Sequence, residues 1–285
     1  GRNGEATIFE ETEPVEDLSQ FIRDQNTIQT RLWINQLAGE HKLTSKNNLN
    51  WALGYNRVDA DEPNRIRNEV NFREGYVQLG RTGGFQQRKS AQIINDQEFN
   101  GLIKDEITLI DSEQKALKLS FGANYRNKER DFGSQFLGLE ESSLNTLNPT
   151  SIDNVSRIFI PENLQNGLLT LNILAPDRYL ATLESASGFV STNYNWNKFN
   201  FNLGVRYQKD DLNVKYDVGN IPGRFGVSDK SYNNFYPSLN FKYAANENNN
   251  FRLAASKTIT LPEFKEIAPF EYVSPTGQVT RGNPD

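Results

Sequence analysis

The chain has no cysteine, no methionine and a single histidine, His41, in 285 residues. Without cysteine there is neither a disulfide nor a thiolate metal site. One histidine argues against a histidine-based metal cluster and against a Ser-His-Asp triad. No apolar run approaches the roughly 20 residues of a membrane helix. No signal-like segment opens the chain at Gly1, so for an exported protein the targeting segment has been removed or lies outside this stretch. An excess of positive charge is also lacking. The formal net charge is −5 and the pI about 5.2, which leaves no electrostatic footprint for nucleic acid. The mean hydropathy of −0.68 suits a soluble protein but does not exclude a membrane barrel, in which only alternate residues face lipid.

What the chain does have is alternation. Phe199, Phe201, Leu203, Val205 and Tyr207 are interleaved with Asn200, Asn202, Gly204 and Arg206. One face is apolar and ends in an aromatic ring; the other is polar and carries an arginine. A period of two marks a strand with unlike surroundings on its two sides. The turn Asn195-Trp196-Asn197-Lys198 joins it to a preceding strand with Val190, Thr192, Tyr194 and Trp196 on one face. The pattern recurs at 49–56 (Leu49, Trp51, Leu53, Tyr55), at 117–126 (Leu117, Leu119, Phe121, Ala123, Tyr125) and in a hairpin pairing Leu239, Phe241 and Tyr243 with Phe251, Leu253 and Ala255. Two further candidates are less regular: 27–38, around Trp33, and 99–109, where Asp105 falls among Ile103, Ile107 and Leu109.

Between these segments the pattern dissolves. Residues 1–26 are acidic and read as a solvated loop. Residues 57–97, 127–178 and 210–231 read as long loops, the second containing short strands or a loop helix at 157–161 and 167–174. The tail from Leu261 is loop-like again. Connections therefore alternate between short and long. Compact soluble domains favour short connections, whereas outer-membrane barrels combine short periplasmic turns with long extracellular loops. The expected fold class is all-β: an antiparallel up-and-down transmembrane β-barrel segment, about eight strands of a larger barrel. Trp51, Tyr55, Tyr125, Tyr194, Trp196, Tyr207 and Tyr243 bracket the apolar rows and suit an interfacial girdle, with the polar rows lining a lumen. Periodicity alone also allows a soluble extracellular β-protein that binds carbohydrate or protein, with the apolar face as its core. A passive or secretion outer-membrane barrel is a third reading.

Several stretches add a resemblance. Gly39-Glu40-His41-Lys42-Leu43, Leu49-Asn50-Trp51, Gly54-Tyr55 and Asp61-Glu62-Pro63 look like one hairpin of the TonB-dependent outer-membrane receptors entering its outer loop. Gly204-Val205-Arg206-Tyr207 resembles that family's recurrent GxRY strand, and Phe235-Tyr236-Pro237-Ser238-Leu239-Asn240 its PSLN strand start. The segment 256–264 with Ala268-Pro269-Phe270 resembles a T-RPEF…LAPF stretch, with Leu261 where arginine is frequent; Gly282-Asn283-Pro284-Asp285 resembles GNPDL. The resemblance implies that 1–285 is a partial barrel domain from the outer membrane of a Gram-negative bacterium. It implies energised uptake of a scarce nutrient (siderophore, glycan, peptide or cobalamin) and no enzymatic chemistry. It also implies partners: outer-membrane lipid, a plug domain and further strands of the same protein, the TonB complex and a possible surface lipoprotein. Family barrels close with about 22 strands, so this segment alone is expected to leave two strand edges unpaired.

Ligand contacts are expected from the outer loops, with Tyr76, Phe85, Gln86, Gln87, Phe132, Phe136, Tyr232, Asn233 and Asn234 as candidates. No cofactor or resident metal is expected. Asp59, Asp61 and Glu62 are calcium-type ligands without the spacing of a calcium loop. Glu140-Glu141 and Asp210-Asp211 read as solvated charge rather than acid–base pairs. His41 reads as a surface residue in a turn, and Phe264 as an anchor for the segment that follows it.

Overall fold

The apolar and polar rows read from the sequence are the two faces of one meandering sheet. The computed structural model describes residues 2–3, 7–10, 19–73, 76–80, 86–143, 146–274 and 278–284. Its principal strands are β1 (Thr27–Thr44), β2 (Asn47–Arg73), β3 (Gln87–Asp111), β4 (Lys115–Glu141), β5 (Asp177–Trp196), β6 (Phe199–Asp217), β7 (Phe225–Ala244) and β8 (Asn250–Ser256). Each pairs antiparallel with its neighbours in sequence, in the order β1 to β8, within a 13-stranded sheet. The remaining strands of that sheet are short and lie along its margins: Arg2–Asn3, Thr7–Glu10, Ser19–Gln25, Tyr76–Leu79 and Leu169–Ile173. The sheet is open, because β8 pairs only with β7 among the described residues. No helix of the described residues is long and apolar enough to cross a membrane.

The connections sort by end. Ser45-Lys46, residues 112–114, Asn197-Lys198 and residues 245–249 make the short turns at one end. Asn197 takes the left-handed conformation (φ 49°) that a two-residue hairpin turn favours and asparagine tolerates. The opposite end carries the connections 74–86, 142–176 and 218–224.

The strands are longer than the alternation suggests. β2 and β4 have 27 residues each, or roughly 90 Å at about 3.3 Å per residue. Crossing a bilayer takes only about 9–11 residues. The expected loops at 57–97 and 210–231 are therefore largely strand, the last shrinking to the turn 218–224. That at 127–178 is strand as far as Glu141, with short helices at Ile152–Arg157 and Pro161–Gln165 and a short strand at Leu169–Ile173 beyond it. Ser19–Gln25, expected as loop, pairs with β2 beyond the reach of β1, placing Phe21 opposite Val70 and Asp24 opposite Arg67.

The cause is visible on β6. From Phe199 to Tyr207 the odd positions are apolar and the even ones polar. Beyond Tyr207 the faces exchange character: Lys209, Asp211, Asn213 and Lys215 continue the apolar row's face, while Leu212 and Val214 lie buried on the other. Strand β5 does the same, with Val190, Thr192, Tyr194 and Trp196 in the apolar row and Tyr179, Ala181 and Leu183 buried on the opposite side. A period of two that reverses phase within one strand cancels in any window laid across the reversal.

Two small cores form at the long-loop end. In one, Phe132, Tyr179, Ala181, Leu183, Leu212, Val214 and Val218 are covered by Phe264, Ile267, Ala268 and Phe270. The segment after β8 thus crosses the polar face as a strap, through a short helix at Phe264–Ile267. In the other, Ile152, Val155 and Ile158 from the 142–176 connection cover Val70 and Leu79. Towards the short-turn end the apolar face is uncovered: Leu203, Val205, Val190, Phe121, Ile103 and Leu253 are each 40 % exposed or more.

His41 lies within β1 and not in a turn. Its Nε2 accepts the Trp51 indole N–H at 3.0 Å. Gly39 lets that indole lie over β1, since a side chain there would meet the ring at 2.6 Å.

Candidate functional site

The register gathers the charged groups of neighbouring strands on the polar face, in rungs that climb from the short turns. Glu106 receives Lys118 at 2.9 Å and Lys104 at 3.3 Å. Next, Arg126 meets Glu98 at 3.0 Å. Higher still, Arg130 holds Asp96 through two bonds of 2.6 Å, with Lys128 at 3.5 Å. Planar guanidinium–carboxylate pairs of this kind fix geometry as well as charge. On the neighbouring strands Arg206 donates to Ser187 at 2.7 Å and to Asn124 at 3.2 Å. Gln208 donates to Asp210 at 2.8 Å and to Ser185 at 3.1 Å. The face is a polar wall with most of its groups paired, suited to water, a solute or a polar protein surface.

The strap sits on top of this wall. The Phe264 ring lies 5.6 Å from both Lys128 and Arg130, so the uppermost rung is capped by a cation–π contact. Phe132 stacks on Tyr179 and meets the edge of Phe270, each at 4.7 Å between ring centres. Asn220 donates to the Pro269 carbonyl at 2.6 Å. The helix is closed by a capping box between Glu263 and Glu266. Gly282 passes so close to the Ala268 carbonyl that any side chain there would collide with it, and the Asn283 N–H donates to the Glu266 carbonyl at 2.7 Å. Gly282 and Asn283 therefore clamp the strap. Phe264, expected to anchor the segment that follows it, has its ring buried against the wall among Phe132, Leu183 and Val214.

A third cluster lies at the long-loop end of β2 and β3. Arg67 and Arg88 are direct cross-strand partners, and Arg65 lies opposite Ser90 one step below on the same face. Arg65 donates to both oxygens of Asp24, at 2.9 and 2.7 Å, with both side chains buried. Burial works against the Arg65 charge, but the hydrogen bonds and charge of Asp24 more than offset it, so its pKa is raised. Arg67 has Glu69 at 4.0 Å. Burial, and then repulsion from Arg67 and Arg65, holds the Arg88 guanidinium down to about 10.

The nine candidate ligand residues are not brought together. Phe85 lies outside the described residues. Tyr76 is exposed on the marginal strand Tyr76–Leu79, and Gln86 sits in the bend before β3. Gln87 is buried and committed, accepting from Asn68 at 3.1 Å and donating to the Glu69 carbonyl at 2.5 Å. Phe132 is buried beneath the strap. Phe136, half-buried on the polar face of β4, lies 5.7 Å from the Arg88 guanidinium. Tyr232, Asn233 and Asn234 belong to β7 and not to a loop. Tyr232 and Asn234 lie opposite Asp210 and Gln208 on the polar face, whereas Asn233 is on the other face and accepts from the Tyr207 hydroxyl at 3.0 Å. Phe132 and Phe136, and Tyr232, Asn233 and Asn234, lie on β4 and β7 because those strands run well past the apolar rows. Asp59 and Asp61 share a face of β2 with Asp59 bound to Arg57 at 3.0 Å, while Glu62 faces the opposite way. Asp210 is fully buried on a strand with Ser185 as a partner, so it is not solvated charge.

The arginine cluster escaped the sequence reading. Its signal is Arg65-Ile66-Arg67, two arginines two apart within a stretch taken as loop; their common face appears only once that stretch is known to be strand.

Comparison with known families gives a match between residues 7–285 and the model of the TonB dependent receptor-like β-barrel. Comparison with curated proteins returns no match. Among solved structures the chain is similar to the siderophore receptor PiuA from Acinetobacter baumannii, at 10 % identity and a TM-score of 0.34, over 82 % of this chain and 46 % of that one. The chain thus corresponds to less than half the length of that receptor.

Proposed function

The chain belongs to the TonB-dependent receptor-like β-barrel family, and from that premise we propose that it forms part of the wall of an outer-membrane receptor for energised uptake of a scarce nutrient. The observation that carries this reading is the sheet itself. Its uncovered apolar face near the short turns suits lipid, and the paired polar face behind it suits a lumen. In this reading the short turns are periplasmic and the long strand ends stand above the outer leaflet. The exposed rings Trp196, Tyr207, Tyr55 and Tyr125 sit near the two edges of the apolar band.

The wall performs no covalent step. It supplies a lipid-facing belt, a polar conduit and an outer mouth partly covered by the strap. The plug domain and the strands that complete the circumference come from elsewhere in the protein. Energy arrives from the inner membrane through TonB, and a surface lipoprotein is a further partner to test. Tyr76, Phe136, Tyr232 and Asn234 remain proposed contacts for cargo; siderophore, glycan and peptide are the cargo classes to be screened.

The test is uptake by cells that carry the full-length receptor, with an otherwise identical strain lacking TonB. Uptake that disappears without TonB supports the reading. Uptake that continues unchanged identifies a passive pore and overturns it. Recovery of the full-length protein as a monodisperse species in buffer without detergent contradicts the membrane assignment altogether.

A further inference from the structure

Arg88 is the one member of the arginine cluster for which no hydrogen-bond or carboxylate partner is present among the described residues. Its Nε is shielded from solvent and unbonded. The group directly across the sheet is Arg67, a like charge, and Arg65 lies one step further along the same face. Like charges set opposite one another are destabilising in a sheet. The neighbouring carboxylates are engaged elsewhere: Asp24 closes on Arg65, and Glu69 lies beside Arg67. Glu62, on the same face below the cluster, is buried with one oxygen unbonded, and its charge acts on Arg65. The contacts that remain around Arg88 are aromatic. Phe136 lies 5.7 Å from its guanidinium, and the strap brings the ring of Tyr272 to 5.9 Å from Arg65.

We propose that this corner of the polar face binds the oxyanion of a small solute, a carboxylate or phosphate group, with Arg88 as its principal donor and Phe136 packed against the same guanidinium. A planar guanidinium presents paired N–H donors that match the two oxygens of such a group. An anion held by the other guanidinium nitrogens supplies the missing partner and relieves the repulsion with Arg67. The depressed Arg88 pKa has the same origin: burial first, then the repulsion of Arg67 and Arg65, which the charge of Asp24 offsets only in part. That the anion is the cargo rests on the receptor function proposed above; that the corner binds an anion does not.

The probes are citrate and inorganic phosphate, titrated calorimetrically into the full-length receptor in detergent at low ionic strength. Binding of either probe is expected, weakened about tenfold or more in Arg88→Gln, in line with the loss of a charge-assisted hydrogen bond. Arg88→Lys is expected to fall between the two, because an ammonium keeps the charge but not the paired geometry. Without probe, the melting temperature of Arg88→Gln is expected to equal or exceed that of the unsubstituted protein, since a repulsion has been removed. Equal affinity in Arg88→Gln, or no binding of either probe, overturns the proposal. A lower melting temperature of Arg88→Gln without probe assigns Arg88 to structure and overturns it as well. Uptake that proves independent of TonB leaves these binding results untouched, so the two readings fail separately.

Discussion

Lysine in place of Leu203 is expected to destabilise the barrel in a lipid bilayer by about 2–4 kcal/mol. Leu203 is 46 % exposed on the apolar face of β6, midway between Phe199 and Tyr207. Its cross-strand partners are Thr192 on β5 and Leu239 on β7, so neither brings a carboxylate to pair with an ammonium. The next residue, Asn202, faces the polar wall and pairs across the sheet with Asn193 and Asn240. Asn202→Lys is expected to cost little. Unfolding of the full-length receptor by denaturant in lipid vesicles measures both. The profile along the strand adds a sharper constraint. A lipid-facing lysine costs most at the bilayer midplane and less towards either interface. Lysines at Phe201, Leu203 and Val205 should therefore trace a maximum in the middle. A flat profile is what a packed soluble core would give, and a larger cost at Asn202 than at Leu203 is what an inverted sheet would give.

Phe264→Ala is expected to release the strap. The Phe264 side chain is 5 % exposed among Phe132, Leu183, Val214 and their neighbours, and removing a buried phenylalanine costs about 3–5 kcal/mol. The loss should be local. β8 ends at Ser256 and the strap begins beyond it, so the paired strands need not follow the strap when it undocks. Hydrogen exchange at 264–270 should rise steeply in the variant while the amides of β5 and β6 near Val190 and Leu203 keep their protection. The loss of the ring also frees Lys128 and Arg130 from their cation–π contacts and opens the upper rung to water. Glu266→Ala, which breaks only the capping box, should loosen the same segment by a smaller amount, about 0.5–2 kcal/mol. Unchanged exchange at 264–270 in Phe264→Ala would show that the strap is held by something other than this core.

The hairpin at Trp196–Phe199 was legible because its chemistry is local. Alternation fixes the faces, and an asparagine takes the left-handed turn position. The order of strands and the alternation of turn ends were legible for the same reason. What escaped was everything beyond the apolar rows. There the apolar residues move to the opposite face, because a different element covers them. Leu212 and Val214 are buried by Phe264 and Ile267, some fifty residues later in the chain. No local window contains both partners. Phe132 illustrates the consequence for the site: an isolated aromatic in a polar stretch reads as a loop contact, yet its ring is committed to Tyr179 and Phe270. Arg65, Arg67 and Arg88 were hidden in the same way, since two strands and a bulge near Pro63 have to be in register before they share a face.

In the proposed receptor wall one face of β6 meets lipid and the other an aqueous lumen. Because the chain contains no cysteine, single cysteines can be placed at each position from 200 to 206 within this wall and spin-labelled in the full-length receptor, any native cysteines elsewhere having been replaced. Collision with dissolved oxygen, which concentrates in the bilayer, and with a water-soluble nickel chelate then reports the surroundings of each label. Strict alternation is expected: oxygen at 201, 203 and 205, the chelate at 200, 202, 204 and 206. Chelate access at every position, or an alternation of opposite phase, would contradict it.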